Sequence, residues 1–263
     1  MTTLRLAYSL TALAALIASG AAAAAQCTAE SGARRVPMLE LYTSEGCNSC
    51  PPADHWVSGL PGRGLSAEQV VTLAFHVDYW NYLGWADPFA KAEYSARQRA
   101  ASLRNRARFV YTPQLLLNGK DYRRGTLRDD FAERVQALSL DRAQARISLK
   151  LTTGAADALS VQGAVAVPDT AQRRGAQAYL ALYENHLANQ VTAGENKGKR
   201  LRHDFVVREL SGPHAVDPQG AVALSHRYRL DPRWKTSDLH VAAFVQNELT
   251  GDVLQALAVP HCR

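Results

Sequence analysis

The stretch that decides the fold runs from residue 36 to residue 60 and reads VPMLELYTSEGCNSCPPADHWVSGL. Residues 36–42 form an apolar run with one acid, Glu40, inside it, and such a run predicts a buried central strand. A short loop leads to Cys47-Asn48-Ser49-Cys50. The two prolines that follow suit the start of a helix, because first-turn amides lack intrahelical partners. We therefore expect a strand, a CxxC motif and a helix, in this order.

Strand and helix patterns alternate beyond this stretch. Residues 70–77 are nearly all apolar, as expected for a parallel strand covered on both faces. Thr112 and Pro113 precede a short apolar run, and Asn118-Gly119 is a hairpin turn signal. The predicted elements are strands at residues 70–77, 114–117 and 121–124, and helices at residues 89–104 and 127–138, the last capped by Thr126. This is the element order of thioredoxin.

The pattern changes near Arg142. Segments of β type then follow one another without a strong helical stretch between them, at residues 145–151, 158–167, 177–187, 205–210, 221–229 and 239–246. They predict an antiparallel sheet or small sandwich, with an exposed hairpin tip at residues 194–202. We accordingly expect an α/β thioredoxin-like domain over residues 26–141 and a β-rich domain over residues 142–263.

The first residues carry the pattern of an export signal. Arg5 precedes an apolar segment that is too short to span a bilayer, and small residues at 21–25 suit cleavage by signal peptidase. We predict a signal peptide at residues 1–25 and a periplasmic or secreted product without a membrane span. The formal charge of +6 is small and spread along the chain. Nucleic-acid binding calls for a denser basic stripe, so we expect no nucleic-acid partner.

Four cysteines, at positions 27, 47, 50 and 262, permit three disulfide pairings. An oxidising compartment makes disulfides the default state. Cys47 and Cys50 form a local pair of the redox kind. Cys27 and Cys262 then remain for a structural disulfide, which would tie the two ends of the mature chain together.

Cys47 stands where a redox-active cysteine is stabilised as a thiolate. A sulfur over the first turn of a helix meets free backbone amides and the positive end of the helix dipole. We assign Cys47 as the nucleophile and Cys50 as the resolving cysteine. In thioredoxin-like proteins the proline equivalent to Pro113 is cis, faces the disulfide and orders the substrate backbone. Glu40 is either a proton acceptor for Cys50 or a satisfied structural acid.

An aromatic, turn-rich segment follows the second predicted strand. Asp78, Tyr79 and Trp80 lie at the carboxyl ends of the strands, which is the edge where open α/β sheets bind ligands. Together with Thr112 they are candidates for a substrate groove beside the cysteines. The alternative is a segment that packs on itself.

Several other polar residues have ordinary explanations. We expect His76 in the core and His55 on the surface of the first helix. A solvated helix face is the expected place of the arginines on or after the second helix, Arg97, Arg99, Arg104, Arg106 and Arg108.

Four stretches of the chain resemble one known family. They read LYTSEGCNSCPPAD, AFHVDYWNYLGWADPF, ARQRA and VYTPQ. They closely resemble the secreted, thioredoxin-like bacterial proteins grouped as domain of unknown function 1223. Residues 194–196 and 203–210 resemble the carboxyl-terminal half of that family. The resemblance covers nearly the whole mature chain and implies a thioredoxin-like fold and export, but neither a substrate nor a reaction.

The leading hypothesis is an exported thiol–disulfide oxidoreductase that needs no cofactor or metal. Its partners would be protein thiol or disulfide clients and a redox partner, both unidentified. One alternative is a periplasmic copper carrier, because soft thiolates favour Cu(I) and His76 or His55 could supply a third ligand. The other alternative is a non-catalytic protein in which the CxxC disulfide is a permanent structural link.

Overall fold

The computed structural model describes residues 25–123, 129–154 and 158–262. The predicted signal peptide lies outside the described residues, apart from Ala25. So do Thr126, the last residue of the predicted fourth strand and the first residues of the predicted third helix.

Strands dominate the described part of the chain. They are β1 Gln26–Glu30, β2 Met38–Thr43, β3 Val71–His76, β4 Gln114–Leu117, β5 Lys120–Asp121, β6 Arg146–Gly154, β7 Ala158–Ala166, β8 Ala176–Glu184, β9 Leu187–Gln190, β10 Arg200–His203, β11 Val206–Ala215, β12 Ala221–Arg229, β13 Leu239–Asn247 and β14 Val253–Pro260. The α-helices are α1 Pro51–Ser58, α2 Ala92–Arg104, α3 Phe131–Ser139 and the single turn α4 Thr170–Arg173. None of these helices is long and apolar enough to cross a membrane.

The largest sheet is mixed and has eight strands in the order β14-β13-β8-β11-β3-β2-β4-β5. Strands β2 and β3 run parallel, with Met38 opposite Val71 and Thr43 opposite His76. Strand β11 joins the two halves of the sheet. It pairs parallel to β3 through Val206 and Ala74, and antiparallel to β8 along most of its length.

The predicted fold class, an α/β thioredoxin-like domain followed by a β-rich part, is therefore wrong. Strands from both sides of residue 141 share one continuous sheet of eight strands, and the described chain contains more strand than the prediction allowed. The physical reason lies at β3. An edge strand there would present unpaired amides and carbonyls, and β11 pairs with β3 at Val206 and Ala74. A strand pattern in the sequence does not reveal which distant strand pairs with which.

A second sheet of four strands, β1-β6-β7-β12, packs against the carboxyl-terminal part of the large sheet. Apolar residues of β6 and β7 share one buried cluster with residues of β8, β13 and β14, for example Leu149, Val161, Leu180 and Val241. Cys27 on β1 and Cys262 after β14 are disulfide-bonded, with their Cα atoms 5.8 Å apart.

The other part of the large sheet is covered by helices on both faces. Side chains alternate along a strand, and in β2 this places Leu39 and Leu41 in one apolar cluster with Trp56 of α1. Met38 and Tyr42 lie in the opposite cluster with Tyr94 of α2. The same alternation assigns even-numbered β2 side chains to the α2 face and odd-numbered ones to the α1 face.

Candidate functional site

Cys47 and Cys50 form a disulfide at the start of α1. Their Cα atoms lie 5.5 Å apart, and Cys50 is the residue that precedes the first helical turn. A tight turn brings the motif into place, because the Cys47 amide donates to the Ser44 carbonyl at 3.2 Å and the Cys50 amide to the Cys47 carbonyl at 3.3 Å. Both cysteines are fully buried, whereas Asn48 and Ser49 between them are exposed.

The peptide bond between Thr112 and Pro113 is cis, as expected from the sequence. It lies directly against the disulfide, since the Thr112 carbonyl oxygen is 3.8 Å from Cys47 Sγ. The indole nitrogen of Trp80 donates to Thr112 Oγ1 at 2.7 Å and fixes this loop from the other side. Cys47, Thr112, Pro113 and Trp80 thus form one assembly.

A hairpin from the carboxyl-terminal half covers the motif. Strands β9 and β10 pair with each other, and the loop between them reaches Cys47. The Asn196 side chain donates to the carbonyls of Glu45 at 2.8 Å and Cys47 at 2.9 Å. Glu195 accepts the Asn48 amide at 3.1 Å. The prediction of an exposed hairpin tip is wrong for Asn196, which is fully buried.

A cavity of about 400 Å³ opens on the other side of the motif. Ser49 and Pro52 line it from α1, Pro113 from the cis peptide, and Phe109 and Tyr111 from the preceding loop. Phe109 is 66% exposed. This is an apolar, open surface beside the disulfide.

Glu40 lies on the other face of the sheet from α1 and does not approach the disulfide through any described contact. Its carboxylate accepts Arg97 Nε at 2.8 Å and the Tyr42 hydroxyl at 2.7 Å. Burial lowers the pKa of Arg97, but the Glu40 carboxylate, with Tyr42 and Tyr179, outweighs this effect and raises the pKa. These contacts place Glu40 in a buried ion pair through Oε2, while its Oε1 is buried without a hydrogen-bond partner. The solvated helix face predicted for Arg97 is wrong, because the side chain is only 8% exposed.

The aromatic segment divides between two neighbours. Trp80 contacts the site through Thr112, as described above. Asp78 and Tyr79 instead contact α2: the Ser95 hydroxyl donates to Asp78 Oδ1, and the Tyr79 hydroxyl donates to Gln98 Oε1 at 3.0 Å. The structure brings Thr112 and Trp80 to the disulfide. The Tyr79 hydroxyl also bonds the Thr112 side chain, whereas Asp78 contacts α2.

A buried polar cluster lies beside the motif on the α1 face. His203, at the end of β10, donates from Nδ1 to Asp54 Oδ1 at 3.1 Å and from Nε2 to Glu45 Oε1 at 3.0 Å. Burial works against the imidazolium, but the two carboxyl groups outweigh it and raise the pKa of His203 to about 10. The hydroxyl of Thr43 donates to Asp54 Oδ2 at 2.7 Å. The hairpin is thus joined to α1 by a charged contact.

His76, at the end of β3, extends this cluster. Its Nδ1 lies 2.7 Å from Asp87 Oδ2, and its ring contacts that of His203 edge-on at 4.9 Å between centroids. Burial disfavours the Asp87 carboxylate, but His76 and two backbone amides outweigh it and hold the pKa of Asp87 below its usual value. His76 is fully buried, as expected, and its Nε2 has no hydrogen-bond partner. His55 is exposed on α1, as expected.

Sequence reasoning missed Glu45, Asp54, Asn196 and His203. Asp54 lies in the first turn of α1, where an acid is ordinary because it favours the helix dipole. Asn196 and His203 lie about 150 residues from the motif in sequence. The stretches that carry the family resemblance include them, and this is the one signal that pointed to either residue.

Fold and site together define a strand-rich protein with an eight-stranded, a four-stranded and a two-stranded sheet among the described residues, and with a buried CxxC disulfide at the start of a helix. The chain belongs to the family described as "Protein of unknown function (DUF1223)", whose model matches residues 38–246. The family resemblance noted in the sequence is thereby confirmed. No curated protein sequence matches the chain.

Two solved structures share the fold. One is a protein from Agrobacterium tumefaciens, with a TM-score of 0.59 and 24% identity over 86% of this chain and 94% of that chain. The other is HBP35 of Porphyromonas gingivalis, with a TM-score of 0.62 and 17% identity over 87% of this chain and 76% of that chain.

Proposed function

We propose that this protein is a thiol–disulfide oxidoreductase that acts outside the cytoplasm, in the periplasm or after secretion. The observation that carries the proposal is the contact between Cys47 Sγ and the Thr112 carbonyl at 3.8 Å. The disulfide lies at the start of α1, next to the backbone of the loop at Thr112. This backbone offers a client-binding surface close to Cys47 Sγ, the sulfur that reacts.

Cys47 is the sulfur that exchanges. When the protein oxidises a client, a client thiolate attacks Cys47 Sγ, the Cys47–Cys50 bond breaks, and Cys50 leaves as a thiolate. A second client thiolate then attacks the client sulfur of the mixed disulfide. The client leaves with its own disulfide, and Cys47 leaves as a thiolate that the first turn of α1 stabilises. Reduction of a client is the same sequence in reverse.

Client binding is assigned to the surface beside Pro113. An extended client segment would pair with the backbone at Thr112, and an apolar side chain would enter the cavity lined by Ser49, Pro52 and Phe109. The partners are therefore protein thiols or disulfides, and a second redox protein that resets the Cys47–Cys50 pair.

The hairpin β9–β10 controls access to the disulfide. Cys47 is fully buried and Asn196 binds its backbone carbonyl, so we assign the loop between the two strands as the segment that moves when a client sulfur reaches Cys47. The two hydrogen bonds from Asn196 hold the covering loop in place. Exchange is thereby limited to openings of the hairpin.

Export is supported by the sequence pattern at residues 1–25 and by the two disulfides, which persist in oxidising compartments. Fractionation of the native host, with amino-terminal sequencing of the product, tests this part. The expected product begins near Gln26 and lies outside the cytoplasm. A full-length cytoplasmic product would contradict it.

The decisive experiment combines an activity and an equilibrium measurement. We expect the wild type to reduce insulin with a thiol donor or to reoxidise reduced ribonuclease, and Cys47→Ser to lose this activity. The Cys27→Ser/Cys262→Ser double variant, if it folds, serves as the matched control and should keep it. A Cys47–Cys50 reduction potential below about −300 mV would mark a structural disulfide. That value, or equal activity in the wild type and Cys47→Ser, would overturn the proposal.

A further inference from the structure

The buried cluster beside the CxxC motif contains three residues that the proposed redox function does not use. One ligand atom from each of Asp54, His76 and His203 lies within 4.8 Å of the others, and all three side chains are buried. They come from three separate elements, α1, β3 and β10. Only the folded chain brings them together.

The Nε2 atom of His76 is the observation that points to a ligand. It is fully buried and has no hydrogen-bond partner, although a buried polar atom is normally paired. Its other nitrogen, Nδ1, lies 2.7 Å from Asp87 Oδ2. When Nδ1 carries the ring proton and donates a hydrogen bond to Asp87, Nε2 has a free lone pair. This is the tautomer that binds a metal ion through Nε2.

Both histidines have the supporting contacts of metal ligands. A metal-bound histidine usually donates its second ring N–H to a carboxylate, which fixes the ring and its tautomer. Asp87 takes this place for His76, and Glu45 takes it for His203, whose Nε2 lies 3.0 Å from Glu45 Oε1. Glu45 is itself held by Trp85 Nε1 at 2.8 Å and Asn189 Nδ2 at 2.9 Å.

The donor types fit one class of ion, and one of the three ligand pairs has the matching spacing. Ligand atoms about 2.0–2.2 Å from a tetrahedral zinc ion stand about 3.3 Å apart, and His203 Nδ1 and Asp54 Oδ1 are 3.1 Å apart. Two imidazoles with one carboxylate suit zinc and similar transition metals. Calcium and magnesium prefer oxygen ligands throughout.

We propose that Asp54, His76 and His203 form a site for a divalent transition-metal ion of the zinc class. His76 binds through Nε2 and His203 through Nδ1, and Asp54 supplies one carboxylate oxygen. The proton that His203 now shares with Asp54 leaves to solvent as the ion enters. The three protein ligands leave a further coordination position open. Since His203 lies on the hairpin and Asp54 on α1, the ion would tie the cover of the disulfide to the helix beneath it.

The site is tested with Zn²⁺ and Co²⁺ on the mature protein with both disulfides oxidised. Oxidation removes the thiols as competing ligands. We expect one Zn²⁺ per chain by calorimetry, a melting temperature that rises with zinc concentration, and X-ray absorption showing nitrogen and oxygen ligands without sulfur. The Co²⁺ derivative should show the visible absorption of a low-coordinate site. Failure of the oxidised wild type to bind Zn²⁺, or sulfur in the coordination shell, would overturn the proposal.

Variants assign the ligands. His76→Gln should weaken Zn²⁺ binding by more than 100-fold, and Asp87→Asn, which acts through His76, by about 10–100-fold. His55→Gln, an exposed histidine on α1 next to Asp54, is the matched control and should bind as the wild type does. The assignment would be refuted if His55→Gln lost as much Zn²⁺ affinity as His76→Gln, or if a folded His76→Gln bound Zn²⁺ as the wild type does. If His76→Gln does not fold, Asp87→Asn and the wild-type absorption spectrum still decide it.

The proposal stands apart from the redox function. A Cys47→Ser/Cys50→Ser double variant should retain full Zn²⁺ binding, even though it has lost any thiol exchange. Loss of Zn²⁺ binding in this folded variant would move the site to the cysteines and overturn the proposal.

Discussion

Replacing Arg97 by methionine should destabilise the protein, because it breaks a buried ion pair between α2 and β2. Arg97 is 8% exposed and its partner Glu40 is 1% exposed, with 2.8 Å between Nε and Oε2. The methionine keeps much of the apolar stem but leaves the Glu40 carboxylate buried with the Tyr42 hydroxyl as its one remaining partner.

The magnitude follows from the burial of this pair. Removing one partner of a buried ion pair typically costs about 3–5 kcal/mol, because the other charge stays behind uncompensated. Arg97 also stacks on Phe75, Tyr179 and Phe244, with its guanidinium 5.1–5.4 Å from the ring centroids. These rings lie on β3, β8 and β13, so the same side chain packs against strands from both halves of the large sheet.

Urea unfolding of the oxidised protein at neutral pH is the assay. We expect Arg97→Met to lower the free energy of unfolding by about 3–5 kcal/mol. The matched control is Arg99→Met, an exposed arginine on the same helix, which should change the free energy of unfolding by less than about 0.5 kcal/mol. The double variant Glu40→Gln/Arg97→Met should recover part of the loss, since the unpaired charge is then gone. Equal effects of Arg97→Met and Arg99→Met would refute the assignment of a buried ion pair.

Three further predictions concern the hairpin, the charged cluster and the terminal disulfide. Asn196→Ala removes two hydrogen bonds of about 1 kcal/mol each, so dithiothreitol should reduce Cys47–Cys50 about 10–30-fold faster. The control Lys197→Ala, at an exposed lysine of the same loop, should leave the rate unchanged; unchanged kinetics in Asn196→Ala would show that the loop is no barrier. In the metal-free protein, the His203 pKa of about 10 exceeds its unfolded value of 6.5. The contribution of His203 to stability is therefore complete below pH 6.5 and disappears as pH rises through about 10. Unfolding curves at pH 6, 8 and 10 should show this loss in the wild type and not in His203→Gln. Cys27→Ser/Cys262→Ser opens a loop with a sequence separation of 235 and should lower the free energy of unfolding by about 2–5 kcal/mol, with an unchanged Cys47–Cys50 potential; a shifted potential would show that the two disulfides are coupled.

Local features of the site were accessible from the sequence. The apolar run of β2, the proline-marked start of α1 and the Thr-Pro pair before β4 are properties of short segments. Strand β2 and helix α1 appear at their predicted places, and Pro113 is cis as expected. Helix α2 begins at Ala92, three residues later than predicted, because the turn-rich segment extends further.

The cover of the disulfide and the charged cluster were not accessible. Asn196 and His203 contact residues around Cys47 from sequence separations of about 150. Hydrogen bonds over such distances leave no periodic pattern in either segment. For Glu40, its place in an apolar strand predicts burial but does not identify its partner. Arg97 stands in a sequence rich in arginines, which predicts a solvent-exposed helix face.

The sequence by itself determined the CxxC helix, the strands on either side of α1 and the pairing of four cysteines into a local and a terminal disulfide, since each depends on short segments or on elimination. The tertiary structure decided that both halves of the chain share one sheet through β3 and β11. It also decided that the loop of a carboxyl-terminal hairpin binds the Cys47 backbone and that His76, His203 and Asp54 meet nearby. These features result from strand pairing and packing between distant segments. Which arrangement of such segments has the lowest free energy depends on the whole chain.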